Sequence, residues 1–167
     1  DGGNQKACAG LGVMLAEGMG VPKNAERGKK LLAGACEADQ ARACATLGGY
    51  EIQGSAEEAK EGAAKLEKAC DAGYAEACVL LATWLQQQSG VEEARIDALL
   101  TTACDGNHGA ACLQQAMREL GAVSGFDAER VTAMLNKACT RNQDLRAHLG
   151  DCLGHDEAPF LILGQKV

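Results

Sequence analysis

Aromatic residues are scarce in this chain of 167 residues, making up 3% of it: one Trp, two Tyr and two Phe. A β-sandwich draws its core from aromatic and β-branched side chains, so this composition speaks against one. Positive charge is also in deficit. Sixteen Lys and Arg face 23 Asp and Glu, giving a formal net charge of -7. Phosphate backbones and anionic membrane surfaces both select basic faces, so neither nucleic acid nor direct membrane association is expected. No apolar run approaches the roughly 20 residues that span a bilayer, and the segment from Pro159 to Leu163 is far too short. With three histidines, His108, His148 and His155, the chain has little material for general acid–base or metal chemistry. The motifs GxxxxGK[ST], GxSxG, HExxH and Ser-x-x-Lys are all missing, so the residues present no nucleophile-and-base set and no phosphate loop.

What the chain has in quantity is hydrophobic residues (47%), 21 glycines and nine cysteines. The cysteines are periodic. Three pairs share the spacing C-x7-C: Cys36 with Cys44, Cys70 with Cys78, and Cys104 with Cys112. First members recur at 36, 70, 104 and 139, and second members at 8, 44, 78 and 112. A period in the mid-thirties is that of helix-turn-helix solenoid units. Ala precedes every first cysteine (Ala35, Ala69, Ala103, Ala138) and every second one (Ala7, Ala43, Ala77, Ala111). Four residues after each second cysteine stands a small residue, Gly12, Gly48, Ala82 or Ala116, which marks a close helix crossing. Four residues before each first cysteine stands Leu32, Leu66, Leu100 or Leu135, on one helical face with the Ala-Cys pair.

Each unit therefore reads as a first helix starting near a second cysteine and a second helix ending near the next first cysteine. First helices are expected over 5–17, 41–53, 75–88, 109–120 and 144–153. Second helices are expected over 25–37, 58–72, 92–105 and 128–141. Breakers lie between them at Gly18 to Pro22, Gly54-Ser55, Ser89-Gly90 and Ser124-Gly125, and Gly73 and Asn107 stand just past helix ends.

The block Leu11-Gly12 followed by Gly18-Met19-Gly20-Val21-Pro22-Lys23-Asn24-Ala25 resembles the Sel1-like repeat signature. It is kept in part by Leu47-Gly48 with Gly54 and by Gly90-Val91. The aromatic often found near the end of the first helix is absent at Leu15. The paired cysteines are similar to those of the cysteine-rich subfamily, including the Helicobacter cysteine-rich proteins. The resemblance implies an all-α fold, an α-solenoid of stacked antiparallel helix-turn-helix (Sel1-like or TPR-like) repeats. It implies about four and a half repeats over residues 1–150, with 151–167 as a cap or linker. Adaptor or scaffold roles, without catalysis or a cofactor, are what the family implies.

On one continuous helix the members of a C-x7-C pair would stand about 12 Å apart, beyond the roughly 7 Å reach of a disulfide. With a turn between them a bridge becomes possible, tying one repeat to the next. Disulfides are the favoured reading for Cys36, Cys44, Cys70, Cys78, Cys104 and Cys112; free core thiols and a metal site are the alternatives, and a spacing of seven is wide for zinc. Cys139 lacks a partner at Ala147, so a Cys139–Cys152 bridge is one option. Cys8 is a second-type cysteine, and its register predicts Ala-Cys immediately before Asp1. Disulfides imply an oxidising compartment, with the bacterial periplasm or cell surface expected.

His108 is expected as a solvated turn residue, and His155 with Asp156-Glu157 as a solvated tail. The acidic Glu57-Glu58 and Glu92-Glu93 favour helix starts. Lys29-Lys30, Lys65 and Lys68 are expected on exposed faces with pairing inside their own helix. Tyr50 and Trp84, late in first helices, are either core filling or anchors for a protein partner, and Tyr74 is expected beside a disulfide. The expected function is a protein-interaction scaffold or a structural subunit of an extracytoplasmic assembly. Two alternatives follow from relatives: a β-lactam-binding or weakly β-lactamase-like protein, or a mitochondrial intermembrane-space assembly factor that binds haem or handles thiols.

Overall fold

The computed structural model describes residues 4–122 and 125–141. Among the described residues there are eight helices and no strand: α1 (Gln5–Glu17), α2 (Ala25–Glu37), α3 (Ala41–Glu51), α4 (Ala56–Asp71), α5 (Ala75–Leu85), α6 (Glu93–Asp105), α7 (Gly109–Leu120) and α8 (Ala128–Arg141). The chain is an α-solenoid of antiparallel helix pairs. Its Cα positions fall into two compact units, Asp1–Leu99 and Leu100–Val167, with α6 running through the boundary. In the first unit α1 packs on α2, α2 on α3, α3 on α4 and α4 on α5; in the second, α7 packs on α8. The first helices of the second and third repeats are shorter than expected, ending at Glu51 and Leu85. The expected helix over 144–153, the 151–167 tail, His148, Cys152 and His155 lie outside the described residues.

Local chemistry fixes the turns inside three of the hairpins. Asn24 caps α2, its Oδ1 accepting the Arg27 N–H at 3.0 Å. Ser55 and Glu58 form a reciprocal capping box at the start of α4, which satisfies two otherwise orphaned backbone donors. The Ser55 backbone N–H donates to the Glu58 carboxylate at 2.7 Å, and this bond holds that carboxyl below its ordinary range. Asp127 Oδ1 accepts from Glu129 and Arg130 at the start of α8.

The core is made of small and aliphatic residues at repeating offsets. Ala35, Ala69, Ala103 and Ala138 are buried, as are Ala43, Ala77 and Ala111. Leu32, Leu66 and Leu100 are fully enclosed. The fourth repeat departs from expectation here: Leu135 is half-buried and Met134 takes the enclosed place, with Val131 and Ala138 three and four residues to either side. Val131, Ala138 and Cys139 keep the buried registers of Ile96, Ala103 and Cys104, so the exchange is confined to this one position.

Two hairpins close on glycine pairs. A Cβ built on Gly28 would stand 2.6 Å from the Gly12 carbonyl oxygen and 2.7 Å from the Ala16 nitrogen. One built on Gly62 would stand 2.8 Å from the Gly48 carbonyl oxygen, and one on Gly48 would stand 2.7 Å from that of Gly62. These are backbone-on-backbone crossings with no room for a side chain. The sequence pattern points to Gly12 and Gly48; their partners Gly28 and Gly62 each stand eight residues before a first cysteine, a register that Ile96 and Val131 fill in the other repeats.

Candidate interaction surface

The repeat junctions are built alike at three places. Past α2, Asp39 takes a left-handed conformation (φ 58°); past α4 Gly73 does (φ 83°), and past α6 Asn107 does (φ 62°). Glycine adopts this region freely, and Asp and Asn tolerate it better than other residues. Each turn then closes a Schellman motif. Asp39 N–H donates to Cys36 O and Gln40 N–H to Ala35 O, both at 3.0 Å. The same two bonds recur from Gly73 and Tyr74 to Cys70 and Ala69, and from Asn107 and His108 to Cys104 and Ala103. The last residue of each motif is at once the N-cap of the next helix. The Gln40 carbonyl accepts from Ala43 and Cys44, as the His108 carbonyl accepts from Ala111 and Cys112.

This turn brings the two cysteines of each pair together. Disulfides join Cys36 to Cys44, Cys70 to Cys78 and Cys104 to Cys112, with Cα atoms 4.6, 4.8 and 4.6 Å apart. All six sulfur-bearing residues are buried. Closing a nine-residue loop corresponds to about 2.5 kcal/mol of chain entropy. Cys139 is also disulfide-bonded, and its candidate partner Cys152 lies outside the described residues. Cys8 is a free, half-buried thiol.

His108 does not stand free in solvent. It is half-buried as the N-cap of α7, and its Nδ1 accepts the Ala111 N–H at 3.4 Å. Tyr74 holds the equivalent place before α5, with its hydroxyl donating to Glu76 at 3.1 Å. Burial, then the Glu76 charge, raises the Tyr74 pKa.

The lysines correct a second expectation. Lys65 does pair inside α4 with Glu61 at 3.7 Å, but its closer partner is Glu51 of α3 at 2.7 Å. Lys68 reaches out of α4 to Asp39 in the preceding junction, at 2.7 Å, and to the Cys36 carbonyl at 3.3 Å. The hydrogen bond and charge of Lys68 hold the Asp39 carboxyl below its ordinary range. Lys137 repeats the arrangement in the second unit, 3.0 Å from Asp105. Long side chains therefore link neighbouring repeats beside the bridges, a pattern that the offset between Lys68 and Lys137, each two residues before a first cysteine, could have exposed. Exposed pairs of this kind contribute little each.

Tyr50 and Trp84 occupy the same register, six residues after a second cysteine, on α3 and α5. Both are half-buried. The Tyr50 hydroxyl donates to the carboxylate of Glu17, at the end of α1. Partial burial and then the neighbouring carboxylate push the Tyr50 pKa up to about 12. The phenol thus joins one first helix to the next while keeping part of its ring in solvent. No sequence signal in the repeat pattern singled out Glu17. Among the described residues no group of three His, Cys, Asp or Glu stands together as a metal site would require. No helix among them is long and apolar enough to cross a membrane.

The repeat period, the hairpins and the bridged junctions find their match among solved structures. A Sel1 repeat protein from Oxalobacter formigenes superposes with a TM-score of 0.75 over 87% of this chain, at 18% identity. The fold is that of a Sel1-like repeat protein. A second solved structure, a protective antigen present in uropathogenic Escherichia coli strains displaying the Sel1-like repeat (SLR) fold, superposes with a TM-score of 0.74 over 89% of this chain, at 25% identity. The chain spans 62% of the first protein and 33% of the second. No protein-family model and no curated protein matches the sequence.

Proposed function

We propose that this Sel1-like repeat chain is a protein-binding scaffold that works in an oxidising, extracytoplasmic compartment, and that its partner docks on the first-helix face carrying Tyr50 and Trp84. The observation that carries this reading is the equivalence of the two aromatics. They stand in one register on helices held by buried disulfide junctions, α3 touches both α1 and α5, and each ring is only half covered. Rigid, partly exposed aromatics are efficient anchors because little side-chain entropy is lost on binding. The bridges support the compartment, since three structural disulfides would not persist in a reducing cytosol. The acidic net charge of -7 favours a partner with a basic or neutral contact face.

The test is affinity capture from an extracytoplasmic fraction, with the wild type and the double variant Tyr50→Ala/Trp84→Ala side by side. A partner retained by the wild type and weakened at least 10-fold in titration against the double variant supports the reading. Equal retention by both would place the binding surface elsewhere. Turnover of nitrocefin by the purified chain would instead favour the β-lactamase-like alternative.

A further inference from the structure

In the second unit the core holds a side chain that its repeat equivalents do not. Three residues after their second cysteines, Leu47 and Leu81 are buried. At the same place after Cys112 stands Gln115, 5% exposed and, among the described residues, the one buried polar side chain. A buried amide costs free energy that leucine does not, unless its hydrogen bonds are met. Gln115 Nε2 donates to the Thr101 hydroxyl, and the amide has a second N–H and a carbonyl oxygen besides. Gln115 and Thr101 form part of the wall of a cavity of about 260 Å³, which Asp105 of α6 and Arg130, Met134 and Lys137 of α8 also line. The three α8 residues recur at i, i+4 and i+7, one face of a helix. Met134 is buried and gives the cavity an apolar side between the two cations. Lys137 is held by Asp105 at 3.0 Å. Arg130 meets the Glu119 carboxylate at 4.0 Å, longer than a hydrogen bond, so its planar fork keeps donors to give.

We propose that this cavity binds a carboxylate on a short aliphatic stem, either a small free acid or an acidic side chain of a partner protein. The Arg130 guanidinium holds the carboxylate through paired charge-assisted hydrogen bonds. The Gln115 amide fixes its orientation, and Met134 packs against the stem. Lys137 adds positive charge at a position set by Asp105. Two cations against one carboxylate among the lining groups make a local positive excess that the net charge of -7 conceals. The volume is below that of pockets for drug-sized ligands, so the occupant is small. The site shares no residue with the Tyr50 and Trp84 face, and it stands or falls separately from the function proposed for that face.

The test is titration of the intact, oxidised chain with glutarate, followed by the NMR signals of the Gln115 side-chain amide and the Arg130 Nε–H. Both signals should shift saturably, and glutaramide, of the same shape without charge, should leave them in place. Arg130→Gln should weaken glutarate binding about 10-fold, through loss of the charge-assisted pair. Gln115→Leu restores the residue of the other repeats. It should keep the helical content and the bridges while weakening binding, which separates a ligand role from a role in folding. A short acetylated peptide with one central glutamate distinguishes the two sources of carboxylate. Tighter binding than glutarate assigns the cavity to a partner's side chain, and binding no tighter assigns it to a free acid. Three results would overturn the proposal: no saturable shift with either glutarate or the peptide, an equal response to glutaramide or inorganic phosphate, or unchanged glutarate affinity in Arg130→Gln.

Discussion

The first two hairpins and the last two solve the same packing problem differently. Eight residues before each first cysteine stand Gly28, Gly62, Ile96 and Val131; four residues after each second cysteine stand Gly12, Gly48, Ala82 and Ala116. The first two pairs are glycine on glycine, with backbone atoms where a side chain would be. In the last two hairpins the same registers hold a buried alanine (Ala82, Ala116) and a buried β-branched residue (Ile96, Val131). Side chains of that size require helix axes to stand farther apart than a glycine crossing does. Apolar burial there replaces backbone contact as the source of cohesion. The difference teaches that the fold is specified by the junctions, which are the same at three places, while the crossings are free to vary so long as each pair is matched.

Breaking the match should cost most where a large side chain is lost. Ile96→Gly removes a fully enclosed aliphatic group and adds a helix-interior glycine, for a destabilisation of about 4 kcal/mol by urea titration. The opposite exchange, Gly28→Ile, forces a side chain into backbone and should cost about 3 kcal/mol in the same assay; a neutral result would show that the glycine crossing is not obligatory. Removing a junction, as in Cys70→Ala/Cys78→Ala, should cost about 2.5 kcal/mol. Because the junctions are alike, the 36/44 and 104/112 pairs should lose similar amounts despite their different crossings. Glycine by itself is not the stabilising feature. Gly10 and Gly34 have open space around a notional Cβ, so Gly10→Ala should raise stability by about 0.5–1 kcal/mol, while Gly48→Ala lowers it.

The smallest effect concerns the contact between the first two repeats. Tyr50 should ionise near pH 12, followed by phenolate absorbance, and Glu17→Gln should move that transition down. A raised folded-state pKa means that the contribution of this phenol to stability is complete below pH 10. It is lost as pH climbs from the ordinary tyrosine value of 10.0 toward 12. Titration at pH 10 in the wild type would show that the Glu17 contact does not form.

Much of this was legible because a repeat states each rule several times. Cysteine spacing, the Ala that precedes each cysteine, and the Leu four residues earlier located the helices, several of them to the residue, since each position is enclosed for the same reason in every unit. The short ends of α3 and α5 were not legible: residues that a helix accepts continue past Glu51 (Ile52-Gln53) and past Leu85 (Gln86 to Gln88), and the hydrogen bonds of Ile52 to Gly48 and Gln86 to Ala82 mark where the helices close. Residues that act between helices were also hidden. Lys65 and Lys68 look like exposed helix residues in one dimension; Glu51 becomes a neighbour of Lys65 only when α3 folds onto α4, and Asp39 a neighbour of Lys68 only when hairpins stack. Tyr50 and Trp84 could be read as core or anchor from sequence; their half-burial is what makes the anchor reading worth testing.

The decisive measurement is non-reducing peptide mapping of the native protein, with free thiols blocked before digestion. Linked peptides pairing 36 with 44, 70 with 78 and 104 with 112 are the predicted outcome. Blocked thiols at 36, 70 and 104 in folded material would contradict the account, because the bridges are the covalent closure of the three junctions.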